Sequence, residues 1–166
     1  MEVKTDSGSD DKEEKPSNKN EYKITYKLDG GKNNDKNPAT YTKKTKTFTL
    51  EDPTKKGYTF KGWYSDKNYK NKVTQIQKGS TGSKTLDAKW KATEYDISYK
   101  LNGGKNSSKN PDSYTIESKS ITLKKPTRKG YTFKGWYSDK NYKKKVTKIK
   151  KGSTGKVTLY AKWSKK

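Results

Sequence analysis

The sequence predicts a mainly β chain, α+β at most, built from two tandem copies of one small module. Three observations predict this. The chain matches itself at an offset of 73 residues. Apolar and polar residues alternate at a period of two, as in a half-buried strand. Aromatic residues make up 12% of the chain and recur at fixed places in both copies.

The repeat is clean. Tyr22 falls on Tyr95, Gly30-Gly31 on Gly103-Gly104, Pro38 on Pro111, Trp63 on Trp136 and Trp90 on Trp163. The register runs from Glu21 to Lys166 without a gap, and Gly57–Lys70 is identical to Gly130–Lys143. Such a duplication divides the chain into a linker at 1–20 and modules at 21–93 and 94–166. The linker has no aromatic residue and almost nothing apolar, so it is expected to be disordered.

Within each module the elements follow in order. Tyr22, Ile24, Tyr26 and Leu28 alternate with polar residues, and Asp29-Gly30-Gly31 turns the chain. A polar loop holds Asn37-Pro38. Phe48 and Leu50 mark a second strand, and Pro53 and Gly57 bracket a turn. Tyr58, Phe60 and Trp63-Tyr64 form a third strand, interrupted by Gly62 as a bulge would be. A short helical turn is expected near Tyr69–Ile76. Leu86, Ala88 and Trp90 close the module as a last alternating strand. Copy two repeats this order from Tyr95 to Trp163. The expectation is four or so short strands per module, near the lower size limit for a self-supporting core. Only Lys91, Ala92, Thr93 and Glu94 separate Trp90 from Tyr95, which favours a semi-rigid pair over flexibly strung beads.

Composition narrows function. Hydrophobic residues are 25% and the net charge is +23, a balance that alone would suggest disorder. The aromatics answer it, because each ring can hide roughly 150–250 Å². There is no Cys and no His, so disulfides, thiol nucleophiles, imidazole bases and the usual zinc ligands are absent. The acids shared by both copies are only Glu21/Glu94 and Asp66/Asp139, and paired carboxylates for glycoside chemistry are not evident. No enzyme, metal or cofactor is expected. No apolar run approaches the roughly 20 residues that span a bilayer.

The motif order Y-x-I-x-Y-x-L-[DN]-G-G, N-P-x-x-Y, P-T-x-K-G-Y-T-F-K-G-W-Y-S-D and T-L-x-A-K-W resembles the Listeria–Bacteroides repeat, the family of the internalin B-repeat. The resemblance covers both copies. Copy one departs from it at Asp87, where copy two has Tyr160. It implies a β-grasp-like, ubiquitin-related fold whose helix is reduced or replaced. It also implies export to a bacterial surface, where such repeats stand in tandem and are associated with adhesion, spacing and host contact. No catalytic residues come with it.

The positive suggestion is a basic surface. Lys55, Lys56, Lys61, Lys67, Lys70 and Lys72 surround the aromatic segment of copy one. Arg128, Lys129, Lys134, Lys140, Lys143, Lys144, Lys145, Lys148, Lys150 and Lys151 do so in copy two. Such clusters attract polyanions over about 8 Å at physiological salt. Outside a cell these would be anionic glycans or cell-wall polymer. The bland alternative is a Lys-, Asn- and Tyr-rich composition with no partner. Tyr64, Tyr69, Tyr137 and Tyr142, set among Lys and turn residues, are the candidate exposed rings. A host surface protein, docked at a sheet edge or on aromatic contacts, is the other candidate partner. Forty of 41 basic residues are Lys, which argues against specific nucleic-acid readout. The chain is expected to be an extracellular monomer.

Overall fold

A computed structural model describes residues 20–166. The expected disordered linker lies outside the described residues, apart from Asn20.

Module one has seven strands, more than the four or so expected: β1 (Tyr22–Lys27), β2 (Thr40–Tyr41), β3 (Phe48–Thr49), β4 (Tyr58–Tyr64), β5 (Lys72–Val73), β6 (Gln75–Ile76) and β7 (Lys84–Ala92). Five form a sheet in the order β2-β1-β7-β4-β5. β1 and β7 are parallel, and the other neighbours are antiparallel. A parallel pair needs a long crossover. Here it carries all the intervening strands. The first and last strands thus lie side by side at the centre, as a β-grasp sheet requires.

No helix stands among the described residues; both modules are all β. The ribbon β3–β6 covers the sheet instead, sending Leu50 and Ile76 into the core. The helical turn expected near Tyr69–Ile76 is therefore corrected: β5 and β6 occupy that stretch. Its physical reason lies at Asp66. Its carboxylate accepts the N–H groups of Asn68, Lys70 and Asn71, and Tyr69 is driven to φ 53°, which ends any helix before it starts.

The core is ring-built. Trp63 is 2% exposed, with Tyr26 and Phe60 edge-on to it at 5.1 and 5.3 Å. Phe60 meets Trp90 at 5.4 Å. Each such pair adds about 0.5–1.5 kcal/mol beyond the area it buries. The indole N–H groups are satisfied: Trp63 donates to the Glu51 carbonyl and Trp90 to that of Leu28. Asn37, buried among loop residues, donates to Asn33 and the Glu51 carbonyl and accepts from the Glu51 N–H. It pins the polar loop to the end of β3. At Gly62 the register of β4 on β7 shifts, and φ is 131°. That conformation is what makes the bulge need glycine; a Cβ there would also meet the end of the flexible Lys72 side chain at 2.6 Å, which could swing aside.

Module two repeats this arrangement with β8 (Tyr95–Lys100), β9 (Ser113–Tyr114), β10 (Ile121–Thr122), β11 (Tyr131–Tyr137), β12 (Lys145–Val146), β13 (Lys148–Ile149) and β14 (Val157–Lys165). Its sheet order is β9-β8-β14-β11-β12, with β10–β13 as the covering ribbon. Thr93 bridges the modules and donates its N–H to the Gly57 carbonyl at 3.0 Å. Ile116 packs on Gly57, and the Tyr58 hydroxyl donates to Glu117 at 2.9 Å.

Candidate functional site

Alternation in the long strands decides what faces outward. β7 turns Leu86 and Ala88 into the core, which leaves Asp87 and Lys89 on the opposite face. Register across the sheet then lines up Lys27, Asp87, Tyr64 and Lys72 as one row. In module two the same row is Lys100, Tyr160, Tyr137 and Lys145. Directly opposite residues share a face. Module two therefore presents two adjacent tyrosines flanked by two lysines, where module one has an acid in the middle.

The row extends into the Asp66 turn. Tyr69 stands edge-on to Tyr64 at 5.5 Å, with the Lys89 ammonium 5.7 and 5.5 Å from the two rings. Tyr142, Tyr137 and Lys162 repeat this, with ring and cation distances of 5.5, 5.7 and 5.6 Å. These are cation–π distances. Tyr69 and Tyr142 hold φ of 53° and 54°, where a ring-bearing residue is strained by about 1–3 kcal/mol. Asp66 and Asp139 impose that conformation. Backbone N–H donors, chiefly those of Lys70 and Lys143, hold their carboxyls below the usual carboxylate range. Asn102 also donates to the Tyr142 hydroxyl at 3.2 Å.

Beside the row, at the β11–β12 edge, lies a cleft of about 340 Å³. Phe133 and Trp136 line it with Lys125, Lys134, Lys145 and the threonines Thr122 and Thr147. The equivalent cleft of module one, about 330 Å³, has Asp52 in place of Lys125. Two of the charge differences between the copies therefore fall at this cleft and this row.

The residues singled out by sequence fall in several places. Lys56, Lys61, Lys67, Lys70, Lys72, Lys129, Lys134, Lys140, Lys143, Lys144, Lys145, Lys148, Lys150 and Lys151 are exposed. Lys55 and Arg128 are half-buried, lying 4.2 and 3.6 Å over Tyr58 and Tyr131. Lys72 and Lys145 stand in the outer rows, and Lys61 and Lys134 in the clefts. Lys150 and Lys151 follow β13, on the covering ribbon. Of the four candidate exposed rings, Tyr69 is exposed at 38%, while Tyr64, Tyr137 and Tyr142 are half-buried in their edge-on pairs. Lys27, Lys89, Lys100, Lys125, Tyr160 and Lys162 were not singled out. The parity of the last strand carried the signal for Lys89, Tyr160 and Lys162. Among the described residues there is one ion pair, Lys55 to Asp29 at 3.9 Å, and no cluster of three His, Cys, Asp or Glu side chains.

The profile of the Listeria-Bacteroides repeat domain matches residues 22–89 and 95–162. The chain belongs to the Listeria–Bacteroides repeat family. It is 33% identical over 145 residues to an Evansella cellulosilytica protein whose name describes a Gly-rich membrane protein, covering 87% of this chain and 16% of that one. A second protein of that organism, named for a membrane location, is 30% identical over 150 residues, covering 87% of this chain and 21% of its own length. Internalin H of Listeria monocytogenes is 34% identical over 115 residues, covering 68% of this chain and 20% of its own length. The chain thus spans about a fifth or less of these relatives. No solved structure matches it. Among the described residues, no helix is long and apolar enough to cross a membrane.

Proposed function

We propose that these Listeria–Bacteroides repeats form the stalk of a bacterial surface protein, a semi-rigid spacer without catalytic activity, and that their outer face adheres to anionic glycans. The observation that carries the adhesive part is the second module's Lys100–Tyr160–Tyr137–Lys145 row beside a three-lysine cleft. Tyrosine faces accept the apolar face of a sugar ring, and the flanking ammonium groups match sulfate, phosphate or carboxylate substituents. The names of the membrane-protein relatives and of internalin H support an extracellular setting. The spacer part rests on the two-residue gap between β7 and β14's partner β8 and on the Ile116 and Tyr58–Glu117 contacts. Docking of a host protein at a sheet edge has less to rest on, since each five-stranded sheet ends in two-residue strands.

The test is a titration of the chain with a sulfated glycosaminoglycan, wall teichoic acid and random DNA at about 0.15 M salt. Tyr142→Gly and a Lys125→Glu/Lys134→Glu/Lys145→Glu variant run in parallel. The expected result is one glycan binding clearly tighter than DNA, with loss of about tenfold in either folded variant, on the order of 1.4 kcal/mol. Equal, weak binding of all three polyanions would leave the spacer as the function.

A further inference from the structure

We propose that the Gly130–Tyr131 surface of the second module is a docking site for a further module of this kind, joined in tandem after Lys166. Its occupant must carry a branched aliphatic residue followed by a carboxylate in the loop equivalent to Thr115–Ser118. The same surface is already filled once in this molecule. In module one, Gly57 is buried because Ile116 of module two sits on it; a Cβ at Gly57 would come within 2.6 Å of that side chain. Beside it the Tyr58 hydroxyl donates to Glu117. That bond, with burial and the charge of Glu117, pushes the Tyr58 phenol above its ordinary pKa.

Module two offers the identical sequence, Gly130 to Lys143, and among the described residues nothing sits on it. Gly130 is exposed, and no heavy atom comes within 4 Å of a Cβ built there. Exit geometry is also retained. Thr93 donates to the Gly57 carbonyl at 3.0 Å, and Lys166, its equivalent, donates to the Gly130 carbonyl at 3.1 Å. A chain continuing from Lys166 therefore leaves module two as β8 leaves module one. Arg128 lies 3.6 Å from the Tyr131 ring, so the surface is cationic and complements an acid.

The requirement for an aliphatic–acid pair makes the contact directional. Where module two has Ile116-Glu117, module one has Lys43-Lys44, both exposed. Two lysines set against Arg128 and Tyr131 would repel and would leave Gly130 uncovered. Module one can thus receive a follower but cannot be one. This excludes head-to-tail association of two copies of the chain through that loop, and it holds whether or not the outer face binds glycans.

The experiment extends the full chain after Lys166 by a third module with the sequence of residues 94–166. A control extension carries Lys-Lys in place of the aliphatic–acid pair, as module one does at Lys43-Lys44, so its folding is not at risk. Residue-resolved amide exchange reads Tyr131 and Lys166. The expected result is at least tenfold slower exchange at both with the Ile-Glu extension, and none with the Lys-Lys extension. Equal protection by both, or by neither, overturns the proposal. So does concentration-dependent dimerisation of the unextended chain that a Gly130→Glu substitution abolishes, since a second copy would then be the occupant.

Discussion

Tyr26 and Tyr99 each lay a ring against the buried tryptophan of their module and donate a hydroxyl to a proline carbonyl, Pro38 at 2.8 Å and Pro111 at 2.7 Å. Burial raises both phenols to about 12. The unfolded chain loses those protons near the ordinary value of about 10. Between these values the unfolded state binds fewer protons than the native one, so stability falls as pH rises. The contribution is complete below about pH 10 and is lost on passing through about 12. Tyr41 and Tyr114 are raised in the same direction, again chiefly by burial. Denaturant unfolding at about pH 9, 10.5 and 11.5 should show this loss, and a Tyr26→Phe/Tyr99→Phe variant should lose less across the window. That variant starts about 0.5–1.5 kcal/mol lower per hydroxyl, because a hydrogen bond is gone. An identical slope in both proteins would remove the tyrosines from the explanation.

The turn that precedes β4 and β11 provides an internal control at the scale of the element. Gly57 and Gly130 have φ of 79° and 77°, so alanine strains both turns by the same amount. Only at Gly57 does the new methyl collide with Ile116. Gly57→Ala should therefore cost about 1–3 kcal/mol more than Gly130→Ala, the usual penalty of overpacking. Thermal unfolding of the two variants checks this, and equal losses would mean that the module contact contributes nothing. The long strands β1, β4 and β7 could be read from the sequence because each buries one face, and alternation reports one-sided burial directly. The ribbon β3–β6 could be read only in part. Two-residue strands are too short for a period, and β6 is held by β3, a partner distant in sequence. The helical turn expected near Tyr69–Ile76 failed because the Asp66 carboxylate accepts three backbone N–H groups, a contact that periodicity does not register. The lysine clusters were visible, but the Tyr160–Tyr137 row was not, since it depends on cross-strand register.

The two modules share a fold and differ in field. Net charge is +10 over residues 21–93 and +15 over residues 94–166. Two of the differences fall where a ligand would lie: Asp52 against Lys125 in the cleft, and Asp87 against Tyr160 in the row. If those sites bind anionic glycans, module two should dominate, and the asymmetry should be removable. Asp52→Lys and Asp87→Tyr together rebuild module two's chemistry on module one without touching its core, since Asp52 is exposed and Asp87 faces outward. Calorimetric titration with a short sulfated oligosaccharide at about 0.15 M salt should then show a second site of similar affinity. The gain at module one should be about five- to tenfold, as expected for reversing an exposed charge and adding a ring. Random DNA supplies the discriminating comparison. A variant that gains as much for DNA as for the oligosaccharide would show that the modules respond to bulk charge alone. A clearly larger gain for the oligosaccharide would place recognition in the tyrosine row, because DNA senses the change in charge but finds little use for one more exposed tyrosine beside a phosphate backbone.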